Sequence, residues 1–372
     1  MPLREIFCQD KAIADLERAY AADKVAHAYI FAGHDGVGKF ATAKEFAKLL
    51  LCKNPVKDNG FADSCDNCES CRLFEAGSHP DFGHVYKELL EFTEDNEDKV
   101  SPVEFPIDVV REFVIEKVSS KPALSARRVF ILTETEKLNN ESQNCLLKVL
   151  EEPPAYCCII LVCTRPDKLF PTIRSRCQIL RFGPVAEDKI IEKIKEFGLS
   201  ENAAKFFARF CDGSIGLACD YARLEQNGAN LYQTKTELVN VLAKLEYKDS
   251  LGLAEDFQQQ SKDLAAIWVK IDPGTSKTDI NRKAAKTIVR IVCALLHDAM
   301  MYNLDNRAKI VNFDQSQHVK KIARRFDSEQ AAREIADCFK ILNWIESAVN
   351  EKLIFETLLL NLAESDKITS EL

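Results

Sequence analysis

The chain has 372 residues, 46% of them hydrophobic and 29% charged, with a formal net charge of −8. That length exceeds one ordinary core and implies two or three domains, while only 13 glycines and 12 prolines exclude a fibrous or largely disordered chain. The acidic balance excludes a chain-wide attraction to nucleic acid, so any DNA contact must be local or made by partners.

No apolar run approaches the ~18 residues of a membrane span, and the start, MPLREIF, lacks the apolar centre of a signal peptide. A cytoplasmic protein with no membrane partner is expected. Fourteen cysteines in so long a chain are then expected as buried thiols or metal ligands rather than disulfides.

Residues 1–183 alternate short apolar runs with helical patterns, as a parallel α/β sheet requires. The predicted strands are AYIFA (28–32), DFGHVYK (81–87), RVFIL (128–132), CIILVC (158–163) and CQILRF (177–182). Each is nearly continuous in apolar residues, which predicts strands covered on both faces. Six carboxylates between Glu88 and Asp98 predict a solvated loop. After Phe182 a Gly-Pro pair marks a break, and 184–228 reads as a small helical unit. From about 230 the pattern is amphipathic helix, notably 283–304 and 335–364, with KIDPGTSKTD (270–279) as a loop.

GHDGVGKF (33–40) follows the first strand and opens a helix, the context of a phosphate-binding loop. Gly33, Gly36, Gly38 and Lys39 can cradle phosphate, because backbone donors and the helix dipole at a helix N-terminus favour an anion. Phe40, however, stands where a Ser or Thr would ligate Mg²⁺, and Thr42 points to another helix face. The strand RVFIL ends in Thr133-Glu134, where nucleotide hydrolases place an Asp to assist the metal and a Glu to polarise water. Loss of both metal-supporting groups argues against efficient phosphoryl transfer. A plain scaffold strand is the alternative for Glu134.

Cys52, Cys65, Cys68 and Cys71 form C-x12-C-x2-C-x2-C, four soft ligands suited to tetrahedral Zn²⁺ with no open position, so a structural zinc is expected. Chance clustering in a Cys-rich chain is the alternative. Arg176, in IRSRC, would by spacing alone be a surface ion-pair residue.

Together, HAYIFAGHDGVGK (27–39), the four-cysteine insertion, CLLKVLEEPP (145–154), IRSRC (173–177) and NEKLIFETLLLNL (350–362) resemble the clamp-loader branch of the AAA+ ATPases over essentially the whole chain. Two bacterial subunit families of that branch share the zinc module, the ATP-hydrolysing gamma/tau type and the non-hydrolysing delta-prime type. In the former a lid segment like GSLRDA supplies an Arg toward the γ-phosphate; here it reads GSIGLA (213–218), with Gly216 at that position. Phe40, Thr133 and Gly216 all depart in the delta-prime direction.

The resemblance implies an α/β AAA+ P-loop domain (1–183) with a five-stranded parallel sheet and a four-cysteine zinc module (52–71), a helical lid (184–229) and an all-helical oligomerisation collar (230–372). It implies that Arg176 acts as a trans finger on a neighbouring subunit's ATP, and that Thr164 lies at the first sensor position. The implied partners are gamma/tau and delta subunits in a hetero-pentamer, with the sliding clamp and primed DNA reached through the complex. ATP or ADP could be held at the degenerate loop without hydrolysis. The competing readings are a gamma/tau-type motor and a stand-alone zinc-containing nucleic-acid-binding protein.

Overall fold

AYIFA, RVFIL and CCIILVC lack polar alternation, and each is buried along its whole length. Such strands need cover on both faces, which a parallel sheet obtains from its crossover helices. The structure, a computed structural model, describes residues 3, 6, 8–58, 61–93, 104–305, 308–347 and 349–370.

In chain order the strands are β1 (Ala28–Ala32), β2 (Val56–Asp58), β3 (Phe61–Asp63), β4 (Phe82–Val85), β5 (Arg128–Leu132), β6 (Cys157–Cys163) and β7 (Gln178–Arg181). The helices that matter for the first part are α1 (Asp10–Ala21), α2 (Lys39–Leu51), α3 (Glu69–Glu75), the short α4 (Ile107–Val110) and α5 (Glu116–Val118), α6 (Asn140–Glu151) and α7 (Pro171–Arg176).

Strands β4, β5, β6, β1 and β7 form one parallel five-stranded sheet in that order. One face buries Tyr29, Phe31, Phe46 and Ile160, the other Ile30, Val109, Leu132 and Leu161. Cover on both faces holds for the three inner strands β1, β5 and β6. It does not hold for β7, where Gln178, Ile179 and Arg181 are exposed, because an edge strand pairs on one side only. Strand β4 is also shorter than expected: it ends at Val85, and a 3-10 turn takes over at Lys87–Phe92. The acidic stretch 88–98 begins in that turn, and its residues 94–98 lie outside the described residues.

The chain divides into two compact units, Met1–Ala186 with Ser214–Gly216, and Glu187–Gly213 with Leu217–Leu372. The second is helical, with α8 (Glu187–Lys195), α9 (Glu201–Phe210), α10 (Ile215–Gln226, its first two residues grouping with the first unit), α11 (Leu231–Leu242), α12 (Ser250–Ile271), α13 (Lys277–Leu304), α14 (Ser316–Arg325), α15 (Ser328–Glu346) and α16 (Glu351–Ser370). The apolar pattern over 335–364 suggests one continuous helix, but in the structure α15 ends at Glu346 and α16 begins at Glu351. Ser347 and Val349 amides close the end of α15 on the Asn343 and Trp344 carbonyls. The Asn350 side chain then accepts from the Lys352 amide at 2.9 Å and starts α16. Among the described residues no helix is long and apolar enough to cross a membrane.

The edge of the sheet is tied down by a buried carboxylate. Asp81, 1% exposed, precedes β4 and accepts from the amides of Ala123, Leu124 and Ser125 at 2.7–2.8 Å, and from the Arg128 guanidinium at 3.3 Å. Arg128 opens β5 and also donates to the carbonyls of Lys117 and Lys121. Burial alone would raise the Asp81 carboxyl, but the three amides and the guanidinium hold it below the ordinary 3.8.

A carboxyl depressed in the folded state stabilises fully above its ordinary value and loses that contribution as pH falls through the folded one. Asp81→Ala, which strands a buried guanidinium, should cost about 3–5 kcal/mol in denaturant unfolding at pH 7. The deficit should narrow below about pH 4, where the wild-type carboxylate itself titrates.

Candidate functional site

Parallel strands end together, so β1, β5 and β6 deliver the residues that follow them to one edge of the sheet, the edge where open α/β sheets bind ligands. Gly33 follows β1, Thr133 follows β5 and Thr164 follows β6. The Gly33 amide donates to the Cys163 carbonyl at 3.3 Å, which fixes the loop beside the end of β6.

Two glycines of the loop are needed for their backbone: Gly36 and Gly38 have φ of 71° and 99°. Gly33 is needed for close approach, since a Cβ there would lie 2.5 Å from the Phe182 carbonyl oxygen. The Gln9 side chain donates to the Val37 and Gly183 carbonyls, both at 3.0 Å, and braces the loop from the N-terminal side.

Lys39 is buried and folds back on its own loop, donating to the Gly33 carbonyl at 2.8 Å and the His34 carbonyl at 2.5 Å. Gly216 meets the loop by its backbone, donating to the Gly36 carbonyl at 2.7 Å. A Cβ at 216 would stand 3.0 Å from the Gly36 Cα.

The position a catalytic metal would take offers no oxygen ligand from Phe40, and a distracted one from Thr133. Phe40 packs on His84 with ring centroids 4.7 Å apart, and His84 on Tyr86 at 5.0 Å. Thr133 Oγ1 is 3.4 Å from His84 Nε2. Burial, assisted by the Lys44 charge, lowers His84 to about 4, so the imidazole is neutral at physiological pH. Thr42 is fully buried and donates its hydroxyl to the Gly38 carbonyl, away from this cluster. These residues do not fit a metal-bound nucleotide.

Glu134 adopts a left-handed conformation, φ 55°, rare outside glycine. Its carboxylate is held by Lys137 at 2.6 Å and lies 3.9 Å from Lys87. Thr164 donates from its hydroxyl and its amide to the two oxygens of Glu136, at 2.5 and 3.3 Å.

The cysteine segment lies one helix away. The sulfurs of Cys52, Cys65, Cys68 and Cys71 all lie within 4.8 Å of one another, and the four could hold a metal ion. Cys52 Sγ is 3.5 Å from Cys65 Sγ and 4.0 Å from Cys68 Sγ. Tetrahedral thiolates at a Zn–S distance of about 2.3 Å would sit about 3.8 Å apart, so the donor set fits.

Burial raises the Cys52 and Cys71 thiols. It also acts on Cys68, but amide donors from Cys71 and Lys53 and the neighbouring thiols outweigh it and bring that group down to about 6. The module is joined to the sheet through Leu51, whose carbonyl accepts from Ser70 and Ser125 hydroxyls at 2.7 and 2.8 Å; the His79 ring bridges both.

Arg176 ends α7 and is 36% exposed. It pairs with Glu151 at 3.0 Å and donates to the Thr172 carbonyl at 3.0 Å.

The model for "DNA polymerase III, delta subunit" matches residues 8–186, and that for its C-terminal domain matches 277–364. The chain is 25% identical to DNA polymerase III subunit delta' of Buchnera aphidicola over 92% of each protein, and 24% identical to that of Bacillus subtilis over 96% of each. The chain belongs to the delta-prime family of DNA polymerase III.

This delta-prime family member is thus a clamp-loader relative with a five-stranded parallel sheet, as its motifs implied. It is also 27% identical to subunit tau of Bacillus subtilis over 71% of this chain and 47% of that one.

Sequence reasoning brought Gly33, Gly36, Gly38, Lys39, Glu134 and Thr164 to the same edge as the structure does. It missed Gln9, His84 and Glu136. A lone His in DFGHVYK and a second Glu in TETEK carry no motif, and Gln9 is distant in sequence from all it holds.

Gly33→Ala should force the loop and the end of β7 apart. We expect about 1–3 kcal/mol less stability by chemical denaturation, whereas Gly183→Ala, whose added Cβ meets nothing within 4 Å, should be near neutral.

Proposed function

We propose that the chain is the non-hydrolysing, stator-type subunit of a bacterial replicative clamp loader, which supports its neighbours' ATP-dependent placing of a sliding clamp on primed DNA. The reading rests on one observation above the rest: the metal position of the P-loop is walled by Phe40, a neutral His84 and Thr133. Metal-assisted phosphoryl transfer has no ligand set there. The clasp of Glu134 by Lys137, with Lys87 beyond it, supports the same reading, since a carboxylate paired with ammonium groups is a poor partner for an attacking water.

In this proposal Arg176 is the part of the chain that serves catalysis, as a trans finger stabilising charge on a nucleotide held by a gamma/tau neighbour. The delta subunit and the gamma/tau subunits complete a hetero-pentamer. Residues 1–183 serve as the AAA+ domain, 184–229 as the lid and 230–372 as the collar. Exposed apolar residues on the last two long helices, among them Phe339, Trp344 and Leu353, suit a collar that packs against other subunits. Zn²⁺ held by Cys52, Cys65, Cys68 and Cys71 would be structural, with four protein ligands and no open position.

Purified chain alone should show no steady-state ATP hydrolysis and should carry one zinc per chain by metal analysis. Turnover abolished by Lys39→Ala would instead identify a motor of the gamma/tau type. In a complex reconstituted with gamma/tau and delta subunits, Arg176→Ala should leave assembly intact and slow ATP turnover at the site it serves by ~10³-fold or more. Unchanged turnover there removes the finger. Stripping the metal should lower the thermal midpoint of the chain, and zinc should restore it.

A further inference from the structure

At the strand-end edge the donors are occupied by a group of the chain itself. Glu136 lies in the 3-10 turn Thr135–Lys137 that follows β5. The turn is anchored by the buried Thr135, whose hydroxyl donates to the Val162 carbonyl at 3.2 Å. It is entered through the left-handed Glu134, which swings the next residues toward the end of β6.

There the two carboxylate oxygens of Glu136 take the two donors of Thr164, one each, at 2.5 and 3.3 Å. Thr164 directly follows Cys163, whose carbonyl accepts from Gly33, so the residue this carboxylate holds is next in chain to the one that pairs with the first residue of the phosphate-loop motif. Burial lowers the Lys39 ammonium, while the charges of Asp35 and then Glu136 act to raise it, which puts both carboxylates within that ammonium's field. Lys39 itself makes its bonds to loop carbonyls.

We propose that Glu136 is a built-in anion: its carboxylate takes the donors and the positive field that a polyphosphate would otherwise use, and so excludes nucleotide from this edge. An arriving phosphate would have to share one buried ammonium with a fixed carboxylate and would find the Thr164 donors already bound. Two anions in one such site repel, and one must be neutralised or leave. The exclusion is electrostatic, so it does not depend on a divalent ion, and it separates nucleotide affinity from the missing metal ligands.

This inference rests on the cradle being catalytically silent. The test is titration of ADP into the purified full chain at low salt in magnesium-free buffer, followed by calorimetry. Glu136→Gln keeps the size and an acceptor for Thr164 but removes the charge, and it should bind ADP roughly tenfold tighter than wild type, the effect of deleting one like charge about 4–6 Å from an anion. Glu136→Ala should move the same way and serves if the Gln variant does not fold. Thr164→Val removes the hydroxyl donor, leaves the backbone amide and keeps the carboxylate's charge, and should show no gain.

Raising the salt should narrow the difference between Glu136→Gln and wild type. Equal ADP affinity in wild type and a folded Glu136 variant overturns the proposal. So does an equal gain in Thr164→Val, which would mean loosening rather than charge. ATP turnover by the wild-type chain would sink the silent-cradle reading instead, and the affinity ratio would still report on Glu136.

Discussion

Parallel pairing of β1, β5 and β6 is the constraint on which the rest of the first unit depends. Because these strands are buried on both faces, their register is fixed by packing from above and below, and the backbone can leave the sheet only at its ends. The carboxyl ends therefore gather a glycine loop, a Thr-Glu turn and a Thr within reach of one another, whatever chemistry those residues then support. A hydrolytic site and a silent one can share this scaffold, since the scaffold dictates position and the side chains dictate outcome.

What the side chains dictate here is consistent at several levels. Phe40 and His84 fill with apolar and neutral surface a place that needs oxygen ligands. Lys39 turns inward, Glu134 is held by lysine, and Thr164 is satisfied by Glu136. Each of these polar groups is paired within the chain.

Much of this could be read from the residues because the informative signals are local. A glycine-rich turn after an apolar run, a Cys spacing and a Phe where a hydroxyl belongs each lie within a few neighbours. The inner strands were legible for the same reason. The edges were less so: apolar content cannot tell an inner strand from β7, whose exposure follows from having one neighbour. The break between α15 and α16 was masked by an apolar period that continues through it, while the signal that matters, Asn350 capping, is a single side chain. Glu136, His84 and Asp81 escaped because their partners are brought near only by the fold.

Gly216 has a further consequence. A glycine there lets two backbones approach, with the Gly36 carbonyl bonded to the Gly216 amide. A Cβ at 216 would stand 3.0 Å from the Gly36 Cα and 3.1 Å from its carbonyl oxygen, so a side chain there would need the loop to give by a few tenths of an ångström, and the glycine is what lets the loop and this helix start share a hydrogen bond.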